Sequence, residues 1–296
     1  MAQNGILIID KPAGWTSHDV VAKLRGILKT KRIGHGGTLD PIATGVLPVF
    51  IGRATRAAEF CENAKKEYIA GIRIGLTTDT QDITGNTFDE KDSLVTPDGL
   101  KAAIRHFRGA QKQIPPMYSA VKQGGKKLYE LARRGLTVPR EARDIIIHDI
   151  ELIGGCGNDY LLRVVCSKGT YIRTLCHDIG QSLGSGAAMS SLRRLSACLF
   201  TIEAAHTLDD VIKAAGSADD LDEMILPTDS IFADHQAVVL DEVDTRKCIN
   251  GAALNIRGHA DGLYRFYTLD NEFLAIGEIV NGETKVIKRF FEVTQQ

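Results

Sequence analysis

Apolar positions along this chain change their period repeatedly, and each change marks an element. Residues 5–10 (GILIID) form a continuous apolar run stopped by Lys11-Pro12 and Gly14, which predicts a short buried strand. Ser17 then stands as an N-cap, and Val20, Val21, Leu24, Ile27 and Leu28 recur at helical spacing. Residues 46–51 (VLPVFI) and 67–76 (EYIAGIRIGL) read as strands, the second alternating, with a short helix over 53–63 between them. Thr96-Pro97 opens a helix carrying Leu100, Ile104 and Phe107, and Gly109 can end it. Residues 144–153 and 160–166 predict a strand pair around a Gly154-Gly155 turn. Thr170 caps a helix with Ile172, Leu175, Cys176, Ile179 and Leu183 on one side, closed by Gly184.

The acidic, alanine-rich stretch from His206 to Asp234 predicts a helical connector. Beyond it lie four short β-prone runs, AVVL, GLYRFYTL, FLAIGEIV and TKVIKRFFEV, separated by Asn250-Gly251, Asp270-Asn271 and Asn281-Gly282. They predict a small β-barrel of roughly sixty residues. Strands mixed with helices give an α+β class, and 296 residues exceed one typical domain. The expected division is a large domain over 1–228 and a small one over 232–296. Residues 112–143, broken by Pro115-Pro116 and Gly124-Gly125, read as an exposed basic insertion with one short helix.

The net charge of -1 hides two opposed segments. Gly99 to Arg143 carries eleven Lys and Arg against Glu130 and Glu141; Thr207 to Asp244 carries eleven acids against Lys213. Either run alone could be a solvated face. Together with the acid-free stretch Val20 to Leu39, which holds Lys23, Arg25, Lys29, Lys31 and Arg32, they point to a polyanion such as nucleic acid.

The candidate chemistry centres on Gly34 to Pro48, GHGGTLDPIATGVLP. Three glycines ahead of Asp40 allow a ligand close to the backbone, and Pro41 fixes the chain after it. A solvated turn is the plain alternative; a phosphate-binding P-loop is excluded, because no Gly-Lys-Ser/Thr ending is present. The six cysteines show neither C-x-x-C nor clustered Cys/His spacing, so neither a metal site nor a disulfide framework is expected. The amino terminus has no signal-like pattern and no apolar run reaches membrane-spanning length, so a reducing cytoplasm is expected, without membrane attachment.

GHGGTLDPIATGVLPV, with DKPAGWTSHDVV before it and KEY, PPMYSAVK, GKKLYELAR and SKGTYIRTLCHDIG after it, resembles the bacterial TruB family of tRNA pseudouridine-55 synthases. The match runs in order from Gly5 to about Leu195; the C-terminal part resembles the family's PUA-like RNA-binding barrel only in general pattern. The resemblance implies a pseudouridine synthase fold with a mixed, largely antiparallel sheet and flanking helices. It implies isomerisation of the T-loop uridine of tRNA: detachment from ribose C1′, rotation, and reattachment through C5. Such chemistry needs no cofactor or metal. The tRNA T arm is the implied partner, with no obligate protein partner and no membrane, and assistance to tRNA folding is also implied.

Carried over by resemblance, Asp40 is the catalytic aspartate and Arg173 the arginine paired with it, whose fixed charge favours the carboxylate. An arginine in the first turn of a helix is slightly disfavoured by the dipole, which suggests a specific partner. Tyr68 matches the tyrosine that stacks on the target base and takes the C5 proton. Tyr171 and Leu192 match pocket-wall positions. For these three, core packing is the alternative. His35 matches a residue that helps hold the extruded nucleotide, or it is a bonded turn residue; Gly36 stands where many relatives carry threonine. Lys11, Pro12 and Gly14 are expected to brace the catalytic loop. Lys122, Lys126, Lys127, Arg133 and Arg134 fall in the insertion that closes over the T arm, where shape and backbone are read. Rival readings are an RNA-guided synthase subunit, a non-catalytic RNA-binding or chaperone module, and a glycosidase, which would want a second positioned acid.

Overall fold

A computed structural model describes residues 4–92, 95–254, 256 and 258–291. In chain order the elements begin with β1 (Gly5–Lys11), α1 (Ser17–Ile27), β2 (Ile33–His35), β3 (Thr44–Ile51), a 3₁₀ turn (Gly52–Ala57), α2 (Ala58–Asn63), β4 (Lys66–Ile74), β5 (Leu76–Thr78) and β6 (Thr87–Glu90). There follow α3 (Pro97–Arg105), β7 (Gly109–Gln113), β8 (Lys122–Gln123), β9 (Lys126–Lys127), α4 (Leu128–Ala132), β10 (Arg143–Cys156), β11 (Asp159–Cys166), α5 (Ile172–Ser182), β12 (Ala187–Ala197) and β13 (Phe200–Thr201). Then come α6 (Leu208–Ala214), α7 (Ala218–Glu223), a 3₁₀ turn (Thr228–Phe232), β14 (Gln236–Val239), α8 (Glu242–Asn250), β15 (Gly262–Tyr267), β16 (Phe273–Val280) and β17 (Glu283–Arg289).

The large sheet runs β1-β3-β12-β4-β11-β10-β7, with β2 beside β3 and β13 beside β12. Every pairing is antiparallel except β3 with β12, which align in parallel where Thr44 and Gly45 meet Arg193 and Arg194. The expected mixed, largely antiparallel sheet is therefore present. Gly45, at φ 100, is needed at that junction: a Cβ there would lie 2.2 Å from the Arg194 carbonyl oxygen.

Strand alternation sends Tyr68, Ala70 and Ile72 of β4, Leu162, Val164 and Cys166 of β11 and Leu192 of β12 to one face. There they meet Val20, Val21 and Leu24 of α1, Leu100 and Ile104 of α3, and Ile172, Leu175, Cys176 and Ile179 of α5. A second cluster joins Ile6, Ile8, Val46 and Phe50 to Phe232, Ile276 and Phe290. Through it the C-terminal sheet rests on α2: Phe60 meets Phe232 edge-on at 5.0 Å, Arg56 donates to the Arg289 carbonyl, and Lys288 pairs with Glu59.

Several expectations are corrected. The N-cap of α1 is Thr16, whose hydroxyl accepts from Asp19 N–H in a capping box, while the buried Ser17 hydroxyl serves the catalytic loop instead. Gly154 and Gly155 belong to β10, and the turn falls at Gly157-Asn158. Residue 170 does not cap α5: its N-cap is Tyr171, and the Thr170 hydroxyl donates to the Ser167 carbonyl. The β7 and β10 strands narrow the excursion from the sheet to 114–142, which does hold one short helix, α4.

The C-terminal runs form an open four-stranded sheet, β14-β15-β16-β17, and among the described residues no pairing closes it into a barrel. Residues 292 and 293 of the fourth run lie outside the described residues. Helix α8 was not expected; it is capped by Asp241 and ended by Gly251 in the left-handed conformation. Acids of the supposed solvated run occupy the first turns of α6, α7 and α8, where they complement the helix dipole. Finally, Cys61 and Cys198 form a disulfide that local spacing could not show, since 137 residues separate them.

Candidate active site

The loop from Gly36 to Ala43 joins β2 to β3 and is held along its length. The Gly36 N–H donates to the Pro48 carbonyl at 2.9 Å, and the Ser17 hydroxyl accepts from Leu39 N–H at 2.8 Å. Past the aspartate, Gly14 N–H donates to the Pro41 carbonyl at 2.8 Å. The Lys11 ammonium, fully buried, donates to the carbonyls of Trp15 at 2.6 Å and Pro12 at 2.9 Å. Burial pushes Lys11 down to about 8, with Arg194 acting in the same direction and Asp40 against it. Gly36 owes its lack of a side chain to packing: a Cβ would sit 2.7 Å from Cys61 Sγ and 2.8 Å from a Phe50 ring carbon.

Asp40 projects from this loop with about a third of its side chain open to solvent. Arg173, in the first turn of α5 and 5% exposed, grips it with a fork: Nε to Oδ2 at 2.9 Å and Nη2 to Oδ1 at 3.3 Å. The same guanidinium donates to the carbonyls of Thr80 at 3.0 Å and Tyr118 at 2.8 Å. Asp82 stands 3.8 Å from its Nε. Four hydrogen bonds thus hold the guanidinium, two of them to Asp40, which fixes the carboxylate geometrically as well as electrostatically.

The start of α5 has no side-chain cap of its own. The buried Gln113 amide supplies one, accepting from Tyr171 N–H at 2.8 Å and donating to its carbonyl at 3.1 Å. This orients the turn that carries Arg173.

Tyr68 and Leu192 reach the same face of the sheet, both less than a tenth exposed. Burial pushes the Tyr68 phenol up from its ordinary value; the positive charge of Arg194, its cross-strand partner, pulls the other way. His35 ends β2, and its Nδ1 is buried without a partner among the described residues. Burial, then Arg194 and His18, push its imidazole down, which favours the neutral ring.

Of the expected site residues, the structure joins Asp40 to Arg173 directly and sets Tyr68 within the electrostatic reach of Asp40. The insertion touches the site through the Tyr118 carbonyl. Lys122, Lys126, Arg133 and Arg134 are exposed, and Lys127 and Arg133 flank the Tyr129 ring at 5.5 and 5.4 Å; among the described residues no hydrogen bond or ion pair joins these five cations to Asp40.

Asp82 and Arg194 were not singled out from sequence. Asp82 is buried, and its Oδ1 accepts from Thr80 Oγ1, Thr84 N and Thr84 Oγ1. The Thr80-x-Asp82-x-Thr84 spacing, that of a side chain closing its own turn, is the available signal. Because Asp82 is buried and turned onto threonines and Arg173, it is not the second free acid that a glycosidase wants. No group of three or more His, Cys, Asp or Glu placed to hold a metal occurs among the described residues. Nor is any helix there long and apolar enough to cross a membrane.

Comparisons with known proteins give the family of the chain. Residues 25–172 match the family model described as TruB family pseudouridylate synthase (N terminal domain), and residues 173–233 that of the tRNA pseudouridylate synthase B C-terminal domain. A relative named tRNA pseudouridine synthase B from Syntrophomonas wolfei is 43% identical over 99% of this chain and 100% of its own length. Its namesake from Escherichia coli is 39% identical over 93% of this chain and 91% of its own. Among solved structures, a Cbf5-Nop10-Gar1 complex contains a chain that aligns with TM-score 0.75 and 30% identity, covering 97% of this chain and 85% of that one. The matched segments contain the loop of Asp40, the strand of Tyr68 and the helix of Arg173: this chain belongs to the TruB family of pseudouridylate synthases.

Proposed function

We propose that this chain isomerises the T-loop uridine at position 55 of tRNA to pseudouridine, with Asp40 as the catalytic carboxylate. The bidentate Asp40–Arg173 pair supports this reading most strongly. It holds the carboxylate in one orientation while about a third of the side chain stays open to solvent. Whether Asp40 attacks the sugar, attacks the base or removes a sugar proton, it works as an anion in a site dried by the bound base, and Arg173 supplies the counter-charge. Asp82 positions Arg173 from behind.

In this reading the uridine is flipped out of the T loop, at a cost of roughly a few kcal/mol. Its ring stacks on Tyr68 against Leu192 and the wall near Tyr171. Tyr68 then exchanges the C5 proton, and His35 helps hold the extruded nucleotide. The insertion cations Lys122, Lys126, Lys127, Arg133 and Arg134 close on T-arm phosphates. Residues 1–228 form the catalytic domain and 232–296 the RNA-binding one. The chain is expected to act without an obligate protein partner, in the cytoplasm.

The test is the purified chain alone with an unmodified tRNA transcript, the product mapped at nucleotide resolution. Pseudouridine confined to the T-loop uridine is expected. No turnover without added protein or guide RNA, or modification elsewhere, would overturn the assignment.

A further inference from the structure

Arg194 is the bulkiest side chain that this fold buries completely. Its Nε donates to the Val46 carbonyl at 2.6 Å and its Nη2 to the Gly37 carbonyl at 3.2 Å; both acceptors flank the catalytic loop. Among the described residues no carboxylate pairs with it. A guanidinium without a counter-ion is expensive to bury, and here Lys11, Lys66 and His35 feel its charge as well. Two carbonyl bonds would be met as well by a neutral donor, so the positive charge calls for another explanation.

That explanation lies across the strand pair. Residues 194 and 68 are direct partners between β12 and β4, which sets the buried guanidinium beside the Tyr68 side chain. We propose that Arg194 is a positioning residue for the isomerisation: it holds the Tyr68 hydroxyl toward the base and stabilises the phenolate through which a proton passes from uracil C5 to uracil N1. This rests on the function proposed above.

The proton balance closes without any co-reactant. When the N1–C1′ bond breaks, its electron pair stays on N1. The C5=C6 pair then forms the C5–C1′ bond, and the pair on N1 becomes an N1=C6 bond. The intermediate still carries its hydrogen on tetrahedral C5. Tyr68 gives its proton to N1, whose N1=C6 pair returns to it as the C5–H pair restores C5=C6, and the resulting phenolate takes the C5 proton. Uracil loses one proton and gains one.

The groups around Tyr68 make Arg194 the suited partner. Asp40 from the loop and Cys166 from β11 both oppose the phenolate, and burial opposes it most. Cys166 is itself pushed up to about 11 by burial, so it stays a neutral thiol. Lys66, two residues away on β4, spends its ammonium on the carbonyls of Glu62 and Ala64 and is pushed down to about 8 by burial. Arg173 is committed to Asp40. Arg194 alone of these cations keeps a fixed charge against the phenol.

The experiment is single-turnover isomerisation of tRNA carrying protium or deuterium at uridine C5, with Arg194→Met, Arg194→Lys and the native chain. Losing a charged hydrogen bond to the reacting phenolate should slow Arg194→Met by about 10- to 100-fold. A C5 deuterium isotope effect larger than the native one should appear, with tRNA affinity unchanged. Arg194→Lys should recover part of the rate. An unchanged rate, or a slower rate with the native isotope effect, would overturn the proposal, because a purely structural loss does not single out the C5 proton.

Should Arg194→Met not fold, fluorotyrosine at position 68 of the native chain serves instead: its more acidic phenol should move the pH profile of the rate to lower pH, and an unmoved profile would overturn the proposal. The two readings fail separately. Native turnover without these signatures leaves the proposed function standing, whereas a native chain with no turnover removes both.

Discussion

Replacing Arg173 with methionine keeps most of the side chain's bulk and removes its charge and five donors. Two carboxylates, Asp40 and Asp82, then face each other's field with no cation between them, and the carbonyls of Thr80 and Tyr118 lose their donor. Breaking a buried ion pair by removing one partner costs about 3–5 kcal/mol. The lower end applies here, because Asp40 keeps a third of its side chain in solvent and can be partly rehydrated. If that loss falls on the transition state, about 3 kcal/mol slows the single-turnover step by roughly 100-fold. Arg173→Lys keeps a charge without the fork and should fall between the two. Single-turnover tritium release from C5-labelled tRNA reads the effect. A Met variant within twofold of native would refute the claim that the fork holds the carboxylate in its working state.

Gly36→Thr should lower the thermal midpoint by roughly 2–10 °C, because its Cβ has no room beside Cys61 and Phe50, both fully buried. A midpoint unmoved in calorimetry would show that the loop has slack at this point. Lys11 has a folded value near 8, below its ordinary 10.5, so between these limits the unfolded chain binds more protons and stability should rise with pH. Urea unfolding at pH 8 and at pH 10 should show that rise, and Lys11→Met should flatten it; an equal rise in the variant would exclude Lys11 as its source.

Much of the sheet was legible because β1, β3 and β4 combine apolar runs with Pro and Gly boundaries: Ile6 to Ile9, Val46 to Ile51 and Tyr68 to Ile74 are nearly all buried. Helix α8 was not, since Cys248 is its only fully buried residue and no apolar stripe marks it; the caps Asp241 and Gly251 were the only signals. The true cap of α1 was legible, because Thr16 has Asp19 three residues on whereas Ser17 has Val20. Across the site, motif resemblance supplied Asp40, Tyr68 and Arg173 as separate marks. Their convergence is tertiary: the loop, β4 and α5 meet on one sheet face only after β12 inserts between β3 and β4. Asp82 gains its meaning from Arg173, far along the chain, and Arg194 gains its own from burial and from its place across from Tyr68.

The central claim turns on the Asp40 carboxylate as a chemical participant rather than a fold element. Asp40→Asn preserves the side chain's shape and removes only the charge and one oxygen. With the purified variant and unmodified tRNA, the account predicts near-native affinity at matched salt and no detectable pseudouridine. Continued formation of pseudouridine by that variant would contradict it.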